Sequence, residues 1–123
     1  QVAVLGERII GKPHTFDKAR QQLLDASGAS VTFLTGLALL NSKSGQCQVD
    51  CTPFTVNMRH LDSARIERYL HAEQPFDCAG SFKAEGLGVS LFQSTAGSDA
   101  TSLIGLPLIR LVDMLLTEGV EVP

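Results

Sequence analysis

The sequence predicts an α/β fold in which a layered, mixed sheet is flanked by helices, and three patterns carry this prediction. In one segment apolar residues recur at helical spacing, namely at Phe16, Ala19, Leu23 and Ala26. The run Val31–Leu40 is rich in Val, Thr, Phe and Leu, and residues 54–58 alternate apolar and polar side chains. Helices interleaved with strands form layers around one core. A chain of 123 residues is one domain or part of one.

The strands are predicted from apolar runs and the turns between them. Val2–Leu5 and Arg8–Ile10 are separated by a Gly-Glu pair, which is typical of a short hairpin. Val31–Leu40 is apolar enough to predict a central strand that is buried on both faces. After a polar turn, residues 46 to about 59 predict a long returning strand. Val89–Phe92 predicts one further short strand.

Helix ends are marked by capping residues and prolines. Thr15 is the predicted N-cap of the first helix, which ends at Gly28. Asp62 caps the second helix, which ends before Pro75. The last helix begins near Pro107, because proline suits the start of a helix. It is apolar on most sides, so we expect it to be covered by more than one neighbour.

Composition excludes several classes of function. The net charge of −3 gives no basic surface of the kind that binds nucleic acid. The longest apolar stretches, Val31–Leu40 and Leu103–Leu116, are too short or too interrupted to span a bilayer, so we expect no membrane partner. Three cysteines, Cys47, Cys51 and Cys78, lack metal-type spacing, and we expect reduced thiols in a cytosolic protein.

Lys12 is the first candidate for a binding role. It lies between a predicted strand and the helix that starts at Thr15. At such a place the unpaired backbone N–H groups of the helix and the lysine ammonium can point at the same anion. The alternative is a solvated turn lysine.

Glu85 is the second candidate. It lies between Ala84 and Gly86, whose small size lets a flat ligand approach the backbone. Its carboxylate can accept hydrogen bonds from adjacent N–H groups of such a ligand, and it would gain strength from a positive charge on the ring. The alternative is an ordinary surface glutamate, and Lys83 in the same loop is expected to be solvated.

Two other motifs favour structural roles. Ser98, Asp99 and Thr101 are typical of loop and capping chemistry before a helix. The glycine of Thr35-Gly36 is typical of close packing inside a strand. The three histidines share no face and form no pair of metal ligands.

Three motifs follow one another along the chain: Gly11-Lys12-Pro13, Ala79–Gly86 and Gly105-Leu106-Pro107-Leu108. In this order and spacing they resemble the Maf family of nucleoside triphosphate pyrophosphatases. The resemblance implies a cytoplasmic hydrolase that needs a divalent cation, Mg²⁺ or Mn²⁺, and cleaves between the α- and β-phosphates. It assigns Lys12 to the phosphate end of the site as a catalytic residue. The expected partner is a nucleotide substrate, and we expect a homodimer.

Two positions resemble the branch of this family that hydrolyses 7-methyl-GTP. Glu85 stands where the branch that acts on unmethylated nucleotides tends to carry glutamine. Gln1 stands where other members have threonine. The resemblance therefore assigns Gln1 and Glu85 to substrate binding or specificity. The alternative function is a non-catalytic, nucleotide-binding regulator of septum formation.

The resemblance also bears on where the chain begins. Gln1 matches the middle of a Ser-Asp-Gln motif, so we expect residues 1–123 to be the C-terminal part of a single Maf-like domain. The aspartate that immediately precedes Gln1 in this motif, a glutamate and a Ser/Arg-rich loop would supply the metal and phosphate ligands. We therefore expect no metal ligand in this chain and no activity from it alone. We also expect bare apolar surface on the central strand and the last helix.

Overall fold

A computed structural model describes every residue from Gln1 to Pro123. The strands are β1 (Val2–Leu5), β2 (Arg8–Ile10), β3 (Ser30–Leu40), β4 (Cys47–Met58) and β5 (Phe92–Gly97). The helices are α1 (Phe16–Ala26), α2 (Ser63–Glu73), α3 (Thr101–Ile104) and α4 (Leu108–Thr117). Two short 3-10 turns lie at Ala79–Ser81 and Leu87–Leu91.

The five strands form one sheet in the order β2-β1-β3-β4-β5. The layered α/β fold with flanking helices is thus confirmed. Each neighbouring pair is antiparallel, so the parallel pairing of a mixed sheet does not occur among these five strands. For β1–β2 and β3–β4 the reason is local, because short turns join these strands and a short turn can only connect antiparallel strands.

Only one face of the sheet is buried. Val31 and Phe33 on β3 pair with Val56 and Phe54 on β4, and all four are buried in a core shared with α1 and α2. The alternate residues of β3 point to the other face, where Leu40 is 63% exposed. The prediction that Val31–Leu40 is buried on both faces is therefore wrong, because the helices of this chain lie on one side. The expected bare apolar surface on this strand is confirmed.

Capping residues mark the N-termini of the first two helices, as the sequence predicts. The Thr15 side chain accepts a hydrogen bond from the Lys18 backbone N–H, and the Asp62 side chain accepts one from that of Arg65. Gly28, just beyond α1, has a φ of +67°, a conformation that favours glycine. The two helices then pack side by side on the buried face of the sheet.

The C-terminal third differs from the prediction in three ways. The short strand at Val89–Phe92 is wrong, since those residues complete a 3-10 turn and β5 begins at Phe92. Helix α3 was not predicted from the sequence. Helix α4 has one fully buried residue, Met114, while Ile109 is 59% exposed, so the expected cover by several neighbours is wrong within this chain. None of the helices has the length and apolar character needed to cross a membrane.

Candidate functional site

A cavity of about 280 Å³ brings the three predicted site residues together. Its twelve lining residues come from the start of the chain, the turn after β2, strand β3, the segment after α2 and helix α3. They include Gln1, Lys12 and Glu85, which are far apart in sequence. Antiparallel pairing of β1 with both β2 and β3 places the first two segments beside each other.

Gln1 is fixed by its own side-chain amide. Its Nε2 donates to Thr35 Oγ1 at 3.0 Å and to the carbonyl oxygens of Ser102 and Leu103 at 2.9 and 3.1 Å. The buried Thr35 hydroxyl also donates to the Ser102 carbonyl. Gln1, just before β1, is therefore tied to Thr35 of β3 and to helix α3, and its side chain holds a defined orientation.

Lys12 is exposed at the turn between β2 and α1. The next residue, Pro13, is fully buried, so the backbone of this turn is anchored while the lysine side chain stays accessible. The turn leads into the N-terminus of α1, which Thr15 caps. An ammonium group here can approach an anion without first giving up an ion pair.

Glu85 lies in a tight turn in which both the backbone N–H and the backbone carbonyl of Lys83 form hydrogen bonds. The Lys83 N–H donates to the Tyr69 hydroxyl at 2.9 Å, and the Lys83 carbonyl accepts from Gly86 and Gly88 at 3.1 and 3.0 Å. Glycine is required at Gly88, because a Cβ there would lie 2.3 Å from the Lys83 carbonyl oxygen. Burial of Tyr69 raises the pKa of its phenol well above the ordinary value, so it stays a neutral anchor for this turn.

The cavity combines an apolar floor with charged edges. Phe33 and Phe82 line it and meet edge to face, with ring centroids 5.5 Å apart. Sequence reasoning missed Asp77, a second acidic residue of the lining, while Lys83 is exposed, as expected, and also lines the cavity. No motif marks Asp77; only its position eight residues before Glu85 in the same connection could have suggested it.

The lesser motifs have separate outcomes. Capping is confirmed for Asp99, whose carboxylate accepts from the backbone N–H groups of Thr101 and Ile109, both at 2.9 Å. The close-packing interpretation of Gly36 is wrong, because a Cβ there would meet nothing within 4 Å. The neighbouring Thr35 is the residue of this motif that makes a contact, because its Oγ1 accepts a hydrogen bond from Gln1.

The three cysteines are free thiols. Cys78 lines the cavity, and burial raises the pKa of its thiol, with the negative charges of Asp77 and Glu85 adding to the effect. A raised pKa disfavours the thiolate, which is the reactive form of cysteine. Cys78 therefore belongs to the wall of the cavity rather than to its chemistry.

The residues present do not fit a divalent cation by themselves. Asp77 and Glu85 are the carboxylates of the cavity, and no group of three or more His, Cys, Asp and Glu side chains is placed to hold a metal ion. Mg²⁺ requires near-octahedral oxygen coordination. What residues 1–123 offer is an apolar slot with carboxylates and lysines at its edges, which is suited to a flat base joined to an anionic group.

Three proteins similar to this chain carry the same name. Over all 123 residues it is 92% identical to a 7-methyl-GTP pyrophosphatase of Pseudomonas fluorescens strain Pf-5, and it covers 64% of that relative. Proteins of the same name from Pseudomonas aeruginosa PAO1 and Alcanivorax borkumensis are 75% and 54% identical over the whole chain, which covers 64% and 62% of their lengths. The chain thus spans less than two thirds of these curated relatives. Because the Maf-like protein family matches residues 1–118, the chain belongs to that family.

Proposed function

We propose that the full-length protein containing this chain hydrolyses 7-methyl-GTP to the nucleoside monophosphate and pyrophosphate. The observation that carries the proposal is the cavity in which Gln1, Lys12 and Glu85 meet. The names of the relatives support the same reaction and favour it over a non-catalytic regulator of septum formation.

The proposed base recognition centres on Glu85. Its carboxylate would accept hydrogen bonds from the N1–H and the exocyclic amine of the base, whose ring would lie against Phe33 and Phe82. Because methylation at N7 gives the base a positive charge, the carboxylates of Glu85 and Asp77 would both favour the methylated form over the neutral one. Gln1, held by Thr35, would keep the neighbouring wall of the slot in place.

Lys12 would act at the other end of the substrate. Its ammonium would lie against the phosphates and stabilise the negative charge that grows as the bond between the α- and β-phosphates breaks. The same contact would be made with any nucleoside triphosphate, so Lys12 would contribute to rate and Glu85 to choice of base.

Several features of the whole protein belong to the same proposal. Residues 1–123 would form the C-terminal part of one Maf-like domain in a cytoplasmic homodimer. Ligands for Mg²⁺ or Mn²⁺ would come from residues outside this chain, since the carboxylates of the cavity do not fit the cation alone. The cation would neutralise phosphate charge when bound.

A direct assay tests the proposal. The full-length protein is incubated with 7-methyl-GTP or with GTP in the presence of Mg²⁺, and released pyrophosphate and monophosphate are quantified. We expect a higher kcat/KM for 7-methyl-GTP, with the two products in equal amounts. Release of inorganic phosphate instead of pyrophosphate, or a preference for GTP, would contradict it.

A further inference from the structure

The lysine turn and the Glu85 loop are bridged by one side chain of helix α1. The Nε2 of Gln22 donates to the Gly11 carbonyl at 3.1 Å, and its Oε1 accepts from the Ser81 hydroxyl. Gly11 directly precedes Lys12, and Ser81 lies four residues before Glu85. Two backbone hydrogen bonds also join the two segments, from the His14 N–H to the Phe76 carbonyl at 2.8 Å and from the Gly80 N–H to the same Gly11 carbonyl at 3.4 Å, and Gln22 adds the side-chain bridge.

Ser81 is the partner that depends on this bridge. Ser81 is fully buried, so its hydroxyl would lose its acceptor if Gln22 were replaced by an apolar residue. Ser81 also has a φ of +65°, a region that residues other than glycine rarely adopt. A conformation of this kind persists when its surroundings hold it in place. The hydrogen bond to Gln22 is one of the contacts that do so.

Glutamine suits this position for a chemical reason. A single terminal amide carries a donor and an acceptor, so it can face a carbonyl on one side and a hydroxyl on the other. Glutamate of the same length would present an oxygen to the Gly11 carbonyl, which has no proton to give. Methionine has the same length and neither hydrogen bond.

We propose that Gln22 is a positioning residue that fixes the distance between the phosphate end and the base end of the nucleotide site. This inference rests on the proposed function, since it assumes that Lys12 and Glu85 contact opposite ends of one substrate. A rigid spacing lets both ends bind at once, so the second contact does not have to restrict the loop again. Without the bridge the base and the triphosphate each still bind separately, but the intact nucleotide no longer gains extra affinity from binding at both ends at once.

The experiment compares the joined ligand with its two halves in the full-length protein. The variants are Gln22→Met and Ser81→Ala, and Gln21→Met serves as the matched control. Gln21 neighbours Gln22 on α1, but its amide bonds only to Asp25 within the helix. The measurements are kcat/KM for 7-methyl-GTP, the affinities for 7-methylguanosine and for inorganic triphosphate, and the thermal midpoint.

We expect Gln22→Met to lower kcat/KM for 7-methyl-GTP by roughly ten- to a hundredfold, the loss typical of a slightly misplaced site. The affinities for 7-methylguanosine and triphosphate should change little, and Gln21→Met should behave as wild type. Ser81→Ala removes one of the two hydrogen bonds and should give the same pattern with a smaller loss. If Gln22→Met does not fold, Ser81→Ala alone tests the inference.

Two results would overturn the inference. One is unchanged turnover in both Gln22→Met and Ser81→Ala. The other is a loss of affinity for the separate halves as large as the loss for 7-methyl-GTP, which would make the role of Gln22 merely structural. Failure of the proposed function looks different, because then the wild-type protein itself does not hydrolyse 7-methyl-GTP.

Discussion

The choice of base should depend on the carboxylate of Glu85. Replacement by Gln or Ala removes a charged acceptor, at a cost of about 1.5–3 kcal/mol. We expect kcat/KM for 7-methyl-GTP to fall by about ten- to a hundredfold, with the thermal midpoint unchanged because Glu85 is exposed. Glu7→Gln, in the exposed β1–β2 turn, is the control. Equal turnover of 7-methyl-GTP by wild type and Glu85→Ala would refute the assignment.

Lys12 should instead contribute equally to kcat/KM for every accepted nucleotide. Its proposed contact is with the phosphates, which all nucleoside triphosphates share. Steady-state kinetics of Lys12→Ala with 7-methyl-GTP and GTP should show the same proportional loss of kcat/KM for both. Lys18→Ala, an exposed lysine of α1, should leave both values unchanged. A loss that depended strongly on the base would reassign Lys12 to base recognition.

Single residues were predictable from the sequence where a short motif marks them. Lys12 and Glu85 lie in such motifs, and the structure brings both to one cavity. Gln22 and Ser81 do not, because they are 59 residues apart and neither is unusual in its local sequence. Contacts of this kind depend on the packing of α1 against the segment after α2, which no local pattern reports.

At the scale of helices and strands, Asp99 should stabilise the connection between α3 and α4. Its carboxylate accepts from the Thr101 hydroxyl and from the backbone N–H groups of Thr101 and Ile109. Pro107, at the N-cap of α4, offers no side-chain cap of its own. Asp99→Ala should therefore lower the free energy of unfolding by about 2 kcal/mol, measured by urea denaturation, whereas Asp113→Ala on α4 should have little effect.

The same carboxylate gives a dependence on pH. Burial acts to raise the pKa of Asp99, but the hydrogen bonds from Thr101 and Ile109 outweigh it and hold the pKa below its ordinary value of 3.8. A lowered pKa in the folded state means stabilisation that is present above the unfolded value and is lost as the pH falls through the folded value. The stability difference between wild type and Asp99→Asn should thus be constant from pH 5 upward and should shrink below about pH 4. A difference that showed no decrease between pH 5 and pH 3 would contradict this.

Elements were predicted well where periodicity and capping agree. In β4 every second residue from Thr52 to Met58 is buried, as the alternation of apolar and polar residues indicates. The error at β3 has a physical cause, since a run of apolar residues shows that both faces avoid water but not which neighbours cover them. The strand predicted at Val89–Phe92 begins late for a local reason, because the backbone N–H groups of Gly86 and Gly88 donate to the Lys83 carbonyl and turn the chain there.

For the molecule as a whole, we predict that residues 1–123 purified alone release no pyrophosphate from 7-methyl-GTP with Mg²⁺ or Mn²⁺. No cluster of three or more His, Cys, Asp and Glu side chains is placed to hold the cation, the cavity carboxylates Asp77 and Glu85 are assigned to the base, and Lys12 would lack further cationic partners at the phosphates. The full-length protein is the positive control. Metal-dependent turnover by the pure chain, with its length verified by intact mass, would place the catalytic groups within residues 1–123.

The long pairing of β3 with β4 has a consequence for how the chain unfolds. Eleven residue pairs run without interruption from Ser30–Asn57 to Leu40–Cys47. One end of this ladder belongs to the core under α1 and α2, and at the other end Gln48 bonds to the Met114 carbonyl and Asp50 to Arg110 of α4. Because the same two strands carry both helical groups, opening the whole ladder strips contacts from both, so the amide protons in its middle should exchange through one cooperative event. A ligand seated on Phe33 would then slow exchange as far away as the β3–β4 turn.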